Sequence, residues 1–243
     1  MEISEYLKQL HMPAIRRCYK EMADQARKHA WDYEQYLQQL LTQECDERLQ
    51  NRIARNLHDS KIPLSKTFDS FDKKRLPPKV MAHLKVLVDG SFLDRCENVL
   101  AFGNPGSGKT HLLCAIGQEL IERGRRVLLI PCSQLVQNLL IAKKELKVAT
   151  ALKKLSRYDA VIIDDIGYVQ QSREEMEVLF TFLADRYEQN SVMITSNLPF
   201  SKWGQIFKDP MTTAAAIDRL VHHSIVLELN LPSYRLEQSK KKE

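Results

Sequence analysis

No apolar run in these 243 residues approaches the roughly 20 residues that a membrane-spanning helix needs. The first ten residues, MEISEYLKQL, are acidic and polar where a signal peptide would be basic and then apolar. A cytoplasmic protein with no membrane partner is expected. The five cysteines (Cys18, Cys45, Cys96, Cys114 and Cys132) are scattered and form no C-x-x-C pair, which fits reduced thiols and argues against a zinc site. His222 and His223 are adjacent, poor spacing for two ligands from one helix face, and read as structural or surface residues. Internal repeats are lacking, and the only low-complexity stretch is the tail Lys240-Lys241-Lys242. Hydrophobic content of 44% and charged content of 28% are ordinary for a chain with a sizeable core.

The net charge of +5 is unevenly spread. Residues 1–65 hold ten Lys/Arg and ten Asp/Glu, which cancel, whereas residues 143–157 hold six basic residues against one acid, Glu145. Lys143, Lys147 and Lys154 stand at i, i+4 and i+11, so on a continuous helix they would share a face, with Leu139, Leu146, Ala149 and Leu155 packed inward. Such a face is a candidate footprint for a polyanion.

Residues 1–60 read as two or three helices. Ile15, Tyr19, Met22 and Ala26 follow a helical period behind Pro13, and Asp32 with Gln35 resembles a capping box ahead of Tyr33, Tyr36, Leu37, Leu40 and Leu41. Pro63, Pro77 and Pro78 then break helices, and the stretch SKTFDSFDKKRLPP lacks a period, which predicts a linker, with one more helix over 79–93.

From Asn98 onward, short β-branched or leucine-rich runs alternate with helical periods. The runs are Val99 to Phe102, Val127 to Ile130, Ala160 to Asp164, Val192 to Ser196 and Ile225 to Leu229. This pattern predicts a parallel sheet covered on both faces. The first run feeds Gly103-Asn104-Pro105-Gly106-Ser107-Gly108-Lys109-Thr110, which fits G-x-x-x-x-G-K-[ST] at every fixed position and opens into a helix closed by Gly124. A loop of this kind presents backbone N–H groups at the positive end of a helix dipole, where phosphates are held. Lys109 would reach the β and γ phosphates, and the Thr110 hydroxyl would ligate Mg²⁺.

The third run ends in Asp164-Asp165. A carboxylate at the carboxyl end of a strand beside such a loop suits a metal ligand, Asp164, and the next acid, Asp165, suits a general base for water. Asn197 ends the fourth run and is placed to touch the γ phosphate or the attacking water. No N-K-x-D follows that run, which disfavours a guanine nucleotide. No lid arginines are apparent, which disfavours a small-molecule phosphotransferase.

These residues resemble those of AAA+ ATPases: Gly103 to Thr110 is similar to a Walker A motif, Ala160 to Asp165 to Walker B and Asn197 to sensor 1. The stretches GNPGSGKTHL, IIDDIGY, DRYEQNSVMITSNLPFSKW, AAAIDRL and PSYRL resemble, in order and spacing, the IstB-type helper ATPases of bacterial insertion sequences. These are relatives of DnaC helicase loaders and, more distantly, of the DnaA initiator. The resemblance implies a P-loop AAA+ α/β fold with a parallel sheet flanked by helices and preceded by a small all-helical domain. It implies an ATP and Mg²⁺ site formed by Gly103 through His111 with Arg235 as sensor 2, and Arg219 as an arginine finger acting on a neighbouring subunit.

The implied divisions are a helical domain for DNA or partner binding over 1–64, a linker and lead-in helix over 65–97, and an ATPase domain without a full lid over 98–243. The implied activity is a DNA-dependent ATPase that forms homo-oligomers on double-stranded DNA and assists a transposase in target selection. A replicative helicase loader is the alternative. The expected DNA contacts are Lys143, Lys144, Lys147, Lys153, Lys154, Arg16 and Arg17. Asp165 departs from the Glu usual in AAA+ Walker B motifs, which implies slow hydrolysis.

Overall fold

The five apolar runs form one parallel sheet. The computed structural model describes residues 2–167, 172–203 and 210–234 and divides into two compact units, Met1–Arg55 and Asn56–Glu243. In the second unit, strands β1 (Asn98–Gly103), β2 (Val127–Pro131), β3 (Ala160–Asp164), β4 (Ser191–Ser196) and β5 (Ser224–Leu229) stand in the order β2-β3-β4-β1-β5. Every neighbouring pair is parallel. All carboxyl ends therefore emerge on one edge, carrying the glycine loop, Asp164 and the approach to Asn197 side by side.

Strand alternation explains the two-sided burial. Leu100, Val161, Ile163, Val192 and Ile194 face one way and join a core with α7 (Cys132–Lys144), α9 (Arg173–Arg186) and Leu220 of α10 (Pro210–Val221). Ile162 faces the other way, against Gly117 of α6 (Lys109–Glu122), where its Cδ1 would lie 3.1 Å from an added Cβ. Each such aliphatic side chain taken from water contributes about 1.5–3 kcal/mol. Ser172 and Glu175 exchange hydrogen bonds at the start of α9, and Gly124 follows α6 with φ +83°, the helix end its sequence position predicts.

Three features of this unit differ from the sequence reading. Residues 65–97, expected as linker and lead-in helix, are folded into the sheet unit: Leu76, Val80, Leu84, Leu87, Phe92 and Leu93 are buried. They belong in part to α4 (Pro78–Asp89) and α5 (Ser91–Asp94). The basic stretch is not one helix either. α7 ends at Lys144 and α8 (Val148–Leu155) starts after a turn in which Leu146 has φ +57°. Lys143, Lys147 and Lys154 therefore do not share a continuous helical face. Leu146 and Ala149, expected inward, are exposed, Leu146 by 94%. The sequence carries no proline or glycine at this break, so its period read through. Arg186 carries no sequence signal of its role; its buried guanidinium donates to the carbonyls of Leu155, Tyr158, Asp159 and Ser191 and clips the end of α8 to the starts of β3 and β4. Burial pulls its pKa down to about 10.

The first unit contains α1 (Ile3–Gln9), α2 (Pro13–His29) and most of α3 (Tyr33–Asp59). Asp32 and Gln35 form the expected reciprocal cap of α3. The residue before α2 is Met12, which supplies no side-chain cap. Instead the buried Glu44 carboxylate of α3 accepts from the backbone N–H groups of Ala14 and Ile15 at 2.9 and 3.1 Å and from Arg48 Nε at 2.8 Å. Burial alone would raise the Glu44 pKa, but Arg48 and the two amides outweigh it and leave it below the usual value. A lowered carboxylate pKa stabilises the fold above the unfolded-state value and loses that contribution as pH falls through the folded-state value. Among the described residues no helix is long and apolar enough to cross a membrane. Glu44→Ala should destabilise the helical unit by about 1–3 kcal/mol, read by urea denaturation followed by circular dichroism; an unchanged midpoint would show that the amides find other acceptors.

Candidate functional site

The loop after β1 shows why glycine is needed in it. Gly103 has φ +152°, and a Cβ there would collide with the backbone carbonyl of Leu229 on β5. Gly108 has φ +95° and directly precedes α6, so the helix N-terminus opens straight from the loop. Inside the loop the buried Ser107 Oγ has no hydrogen-bond partner among the described residues. An unpaired buried hydroxyl at the N-terminus of a helix fits an anionic oxygen as its missing partner.

Lys109, 5% exposed, donates through Nζ to the carbonyls of Gly103 and Asn104, both at 2.9 Å, and to Asn197 Oδ1 at 2.6 Å. The loop lysine and the amide at the end of β4, distant in sequence, are thus in direct contact. The Thr110 hydroxyl donates to Asp164 Oδ1 at 2.7 Å. These hard oxygen donors from α6 and β3 are the chemistry that Mg²⁺ selects. Asp165 has φ +57° and lines the same cleft as Lys109, Thr110 and Asn197. The structure therefore brings together Gly103 to His111, Asp164, Asp165 and Asn197.

Two contributions were missed by sequence reasoning. Thr195, fully buried, donates to the same Asp164 Oδ1 at 2.7 Å and accepts from the Asp165 N–H at 2.8 Å. The available signal was its place two residues before Asn197, since alternate strand positions share a face. The second is the wall opposite the loop, built by the stretch expected as a linker. Phe71 and His111 meet edge to face with ring centroids 5.1 Å apart. His111 Nε2 lies 3.0 Å from the Thr67 carbonyl, which can only accept, so that nitrogen carries the proton. Arg75 donates to the Pro232 carbonyl at 2.9 Å and lies over the Tyr234 ring at 5.2 Å, while the Tyr234 N–H donates to the Gly106 carbonyl. Lys66, Ser70, Phe71, Arg75 and Tyr234 line the cleft with the loop, and its cavity volume is about 340 Å³, inside the roughly 300–1,000 Å³ of small-molecule pockets. An aromatic face beside a phosphate loop suits a base and its triphosphate.

Other expected residues lie elsewhere. Arg219 is on α10, not in the cleft lining; its guanidinium sits 5.0 Å from the centre of the Phe180 ring and donates to the Ala215 carbonyl. Arg235 lies outside the described residues. Lys143, Lys144, Lys147, Lys153 and Lys154 are exposed, Lys143 paired with Glu177 and Lys147 with Glu145, each at 2.9 Å. Exposed pairs of this kind hold their partners by only about 0–1 kcal/mol. Arg16 and Arg17 are on α2 in the helical unit, Arg17 paired with Glu47. Cys114 is buried on α6, and burial pushes its thiol up to about 11, so it stays protonated and inert. His222 and His223 are exposed, as a surface reading expects.

Thr195→Val should cost about 1–3 kcal/mol of stability by leaving the Asp165 amide without its acceptor, and Thr195→Ser should restore it; equal midpoints for Val and Ser in urea denaturation would show that the hydroxyl carries no weight.

Comparison with known proteins agrees with this geometry. The family model for IstB-like ATP binding protein matches residues 5–242. A protein named for ATP binding in an insertion sequence of Sinorhizobium fredii is 41% identical over 230 residues, 94% of this chain and 77% of its own length. A protein of Pseudomonas aeruginosa named for ATP binding in insertion sequence IS21 is 35% identical over 240 residues, 99% of this chain and 91% of its own. Among solved structures, the DnaC helicase loader superposes with a TM-score of 0.59 at 18% identity, covering 68% of this chain and 97% of that one; this likeness speaks to the fold alone. The chain belongs to the family of IstB-like ATP binding proteins and has the parallel-sheet AAA+ fold.

Proposed function

We propose that the chain is a DNA-dependent ATPase that self-associates on double-stranded DNA when ATP is bound and assists the transposase of its own insertion sequence in engaging a target. The observation that carries the reading is the convergence of Lys109, Thr110, Asp164, Asp165 and Asn197 at one sheet edge. The chemistry is ATP plus water to ADP plus phosphate. In the proposed assignment the loop N–H groups and Lys109 hold the β and γ phosphates, exchanging the lysine's present carbonyl partners for phosphate oxygens. Thr110 and Asp164 would hold Mg²⁺, which supplies charge neutralisation across the phosphates when bound. Asp165 polarises a water, and Asn197, freed from Lys109, orients that water or the γ phosphate.

Arg219 supports the oligomeric part of the reading. It lies on a helix outside the cleft, so a role in hydrolysis falls to the nucleotide of an adjoining copy. A finger supplied in this way makes turnover depend on assembly. The names of the relatives, which place them in insertion sequences, favour a transposase as the partner. The DnaC likeness keeps a helicase-loading role as the second reading. The exposed lysines of α7 and α8, with Arg16 and Arg17, are the proposed phosphate contacts on DNA. Their affinity would be salt-dependent and indifferent to sequence.

ATP turnover should rise with protein concentration and with added duplex DNA. Arg219→Ala should bind ATP but lose turnover by about 10³-fold or more, and mixing it with Lys109→Ala should restore part of the activity, because each variant supplies what the other lacks. Turnover per chain that is constant with concentration and DNA, with no recovery on mixing, would contradict the proposal.

A further inference from the structure

Among the described residues one group of side chains outside the cleft has the composition of a transition-metal site: Glu188, His222 and His223. In sequence it is unremarkable, because adjacent histidines on a helix point about 100° apart. Here α10 ends at Val221 and β5 begins at Ser224, so both histidines lie in the turn between them and can converge. Their ring centroids are 4.1 Å apart. The turn is anchored at both ends: the His222 N–H donates to the Asp218 carbonyl at 2.9 Å, and the His223 carbonyl accepts from the Asn98 N–H at 2.7 Å. Glu188 comes from a separate element, two residues beyond the end of α9, and is held at φ +59°. One ligand atom from each of the three residues lies within 4.8 Å of the other two.

We propose that Glu188, His222 and His223 bind one divalent ion of the zinc class, tying the end of α9 to the turn after α10. Two imidazole nitrogens and one carboxylate oxygen are the donor set that Zn²⁺, Ni²⁺ and Cu²⁺ accept and that Mg²⁺ and Ca²⁺ do not select. Two donors of a tetrahedral zinc ion, each at about 2.1 Å, stand about 3.4 Å apart. From separations within 4.8 Å the three side chains must therefore close by up to about 1.4 Å, which exposed rotamers do at little cost. A supporting contact is also present: His222 Nδ1 lies 3.3 Å from the Tyr187 hydroxyl. With the ring proton donated to that oxygen, the Nε2 lone pair is left for the metal, the arrangement by which histidine ligands are usually oriented. The fourth position faces solvent, open to water or to a donor from another molecule. Arg219 lies on α10 three residues before His222, which is in the turn that follows that helix, so an ion here would restrain the backbone at the helix end that carries it.

The test is titration of the nucleotide-free protein with Co²⁺ in the presence of excess Mg²⁺, followed by displacement with Zn²⁺. One equivalent should bind, with the visible absorption of a four-coordinate Co²⁺ centre, and Zn²⁺ should bleach it. His222→Ala, His223→Ala and Glu188→Ala should each weaken binding at least about tenfold while circular dichroism is unchanged, and Cys45→Ser should bind as the parent does. Absence of a stoichiometric site, affinity unchanged in the histidine variants, or loss of the signal in Cys45→Ser would each overturn the proposal. None of these results depends on ATP turnover.

Discussion

One oxygen atom sets the geometry of the nucleotide edge. Oδ1 of Asp164 accepts from hydroxyls on two other elements, Thr110 at the start of α6 and Thr195 on β4. The same Thr195 hydroxyl accepts from the Asp165 amide. Three segments far apart in sequence are thereby pinned at the carboxyl edge of the sheet. A small group of partly buried polar atoms is expensive to leave half satisfied, and this resists sliding of β3 against β4 or of the loop against either. With that edge fixed, the Lys109 ammonium comes within 2.6 Å of Asn197. In the proposed mechanism, phosphate binding begins by competing for this contact.

The parts of the molecule legible in the sequence were those encoded locally. A strand buried on both faces must be almost wholly apolar, so Ala160 to Ile163 could be read without its neighbours. A loop whose glycines stand at φ +95° and beside a strand carbonyl leaves a mark that other residues cannot imitate. The reciprocal cap at Ser172 and Glu175 likewise involves positions only three apart. What escaped was carried by long-range pairing. Glu44 caps a helix thirty residues before it, and Thr195 looks like any β-branched strand residue until Asp164 is opposite it. The stretch from Lys66 to Arg75 has no period because it holds no strand and only a single 3-10 turn, Lys73–Arg75, yet Phe71 and Arg75 form a wall of the cleft. Aperiodic composition excluded regular structure there; it did not exclude packing.

The break between α7 and α8 shows the opposite error. A helical period runs through residues 143–157, but Leu146 at φ +57° ends it, and two short helices present the lysines instead of one. Under the proposed function the phosphate contacts are shared among α7, the turn at Lys147 and α8. The two-element origin of Glu188 and the His222–His223 pair is another product of chain termination: a helix that stops at Val221 lets neighbours in sequence become neighbours in a site.

Every functional step assigned above requires that the loop from Gly103 to Thr110 hold a triphosphate through Lys109. The direct measurement is equilibrium titration of a fluorescent ATP analogue with the parent protein and with Lys109→Ala. Loss of charge-assisted contacts worth about 1.5–3 kcal/mol predicts affinity about ten- to a hundredfold weaker, with the circular dichroism of the parent retained. Equal affinity in the two proteins would contradict the account.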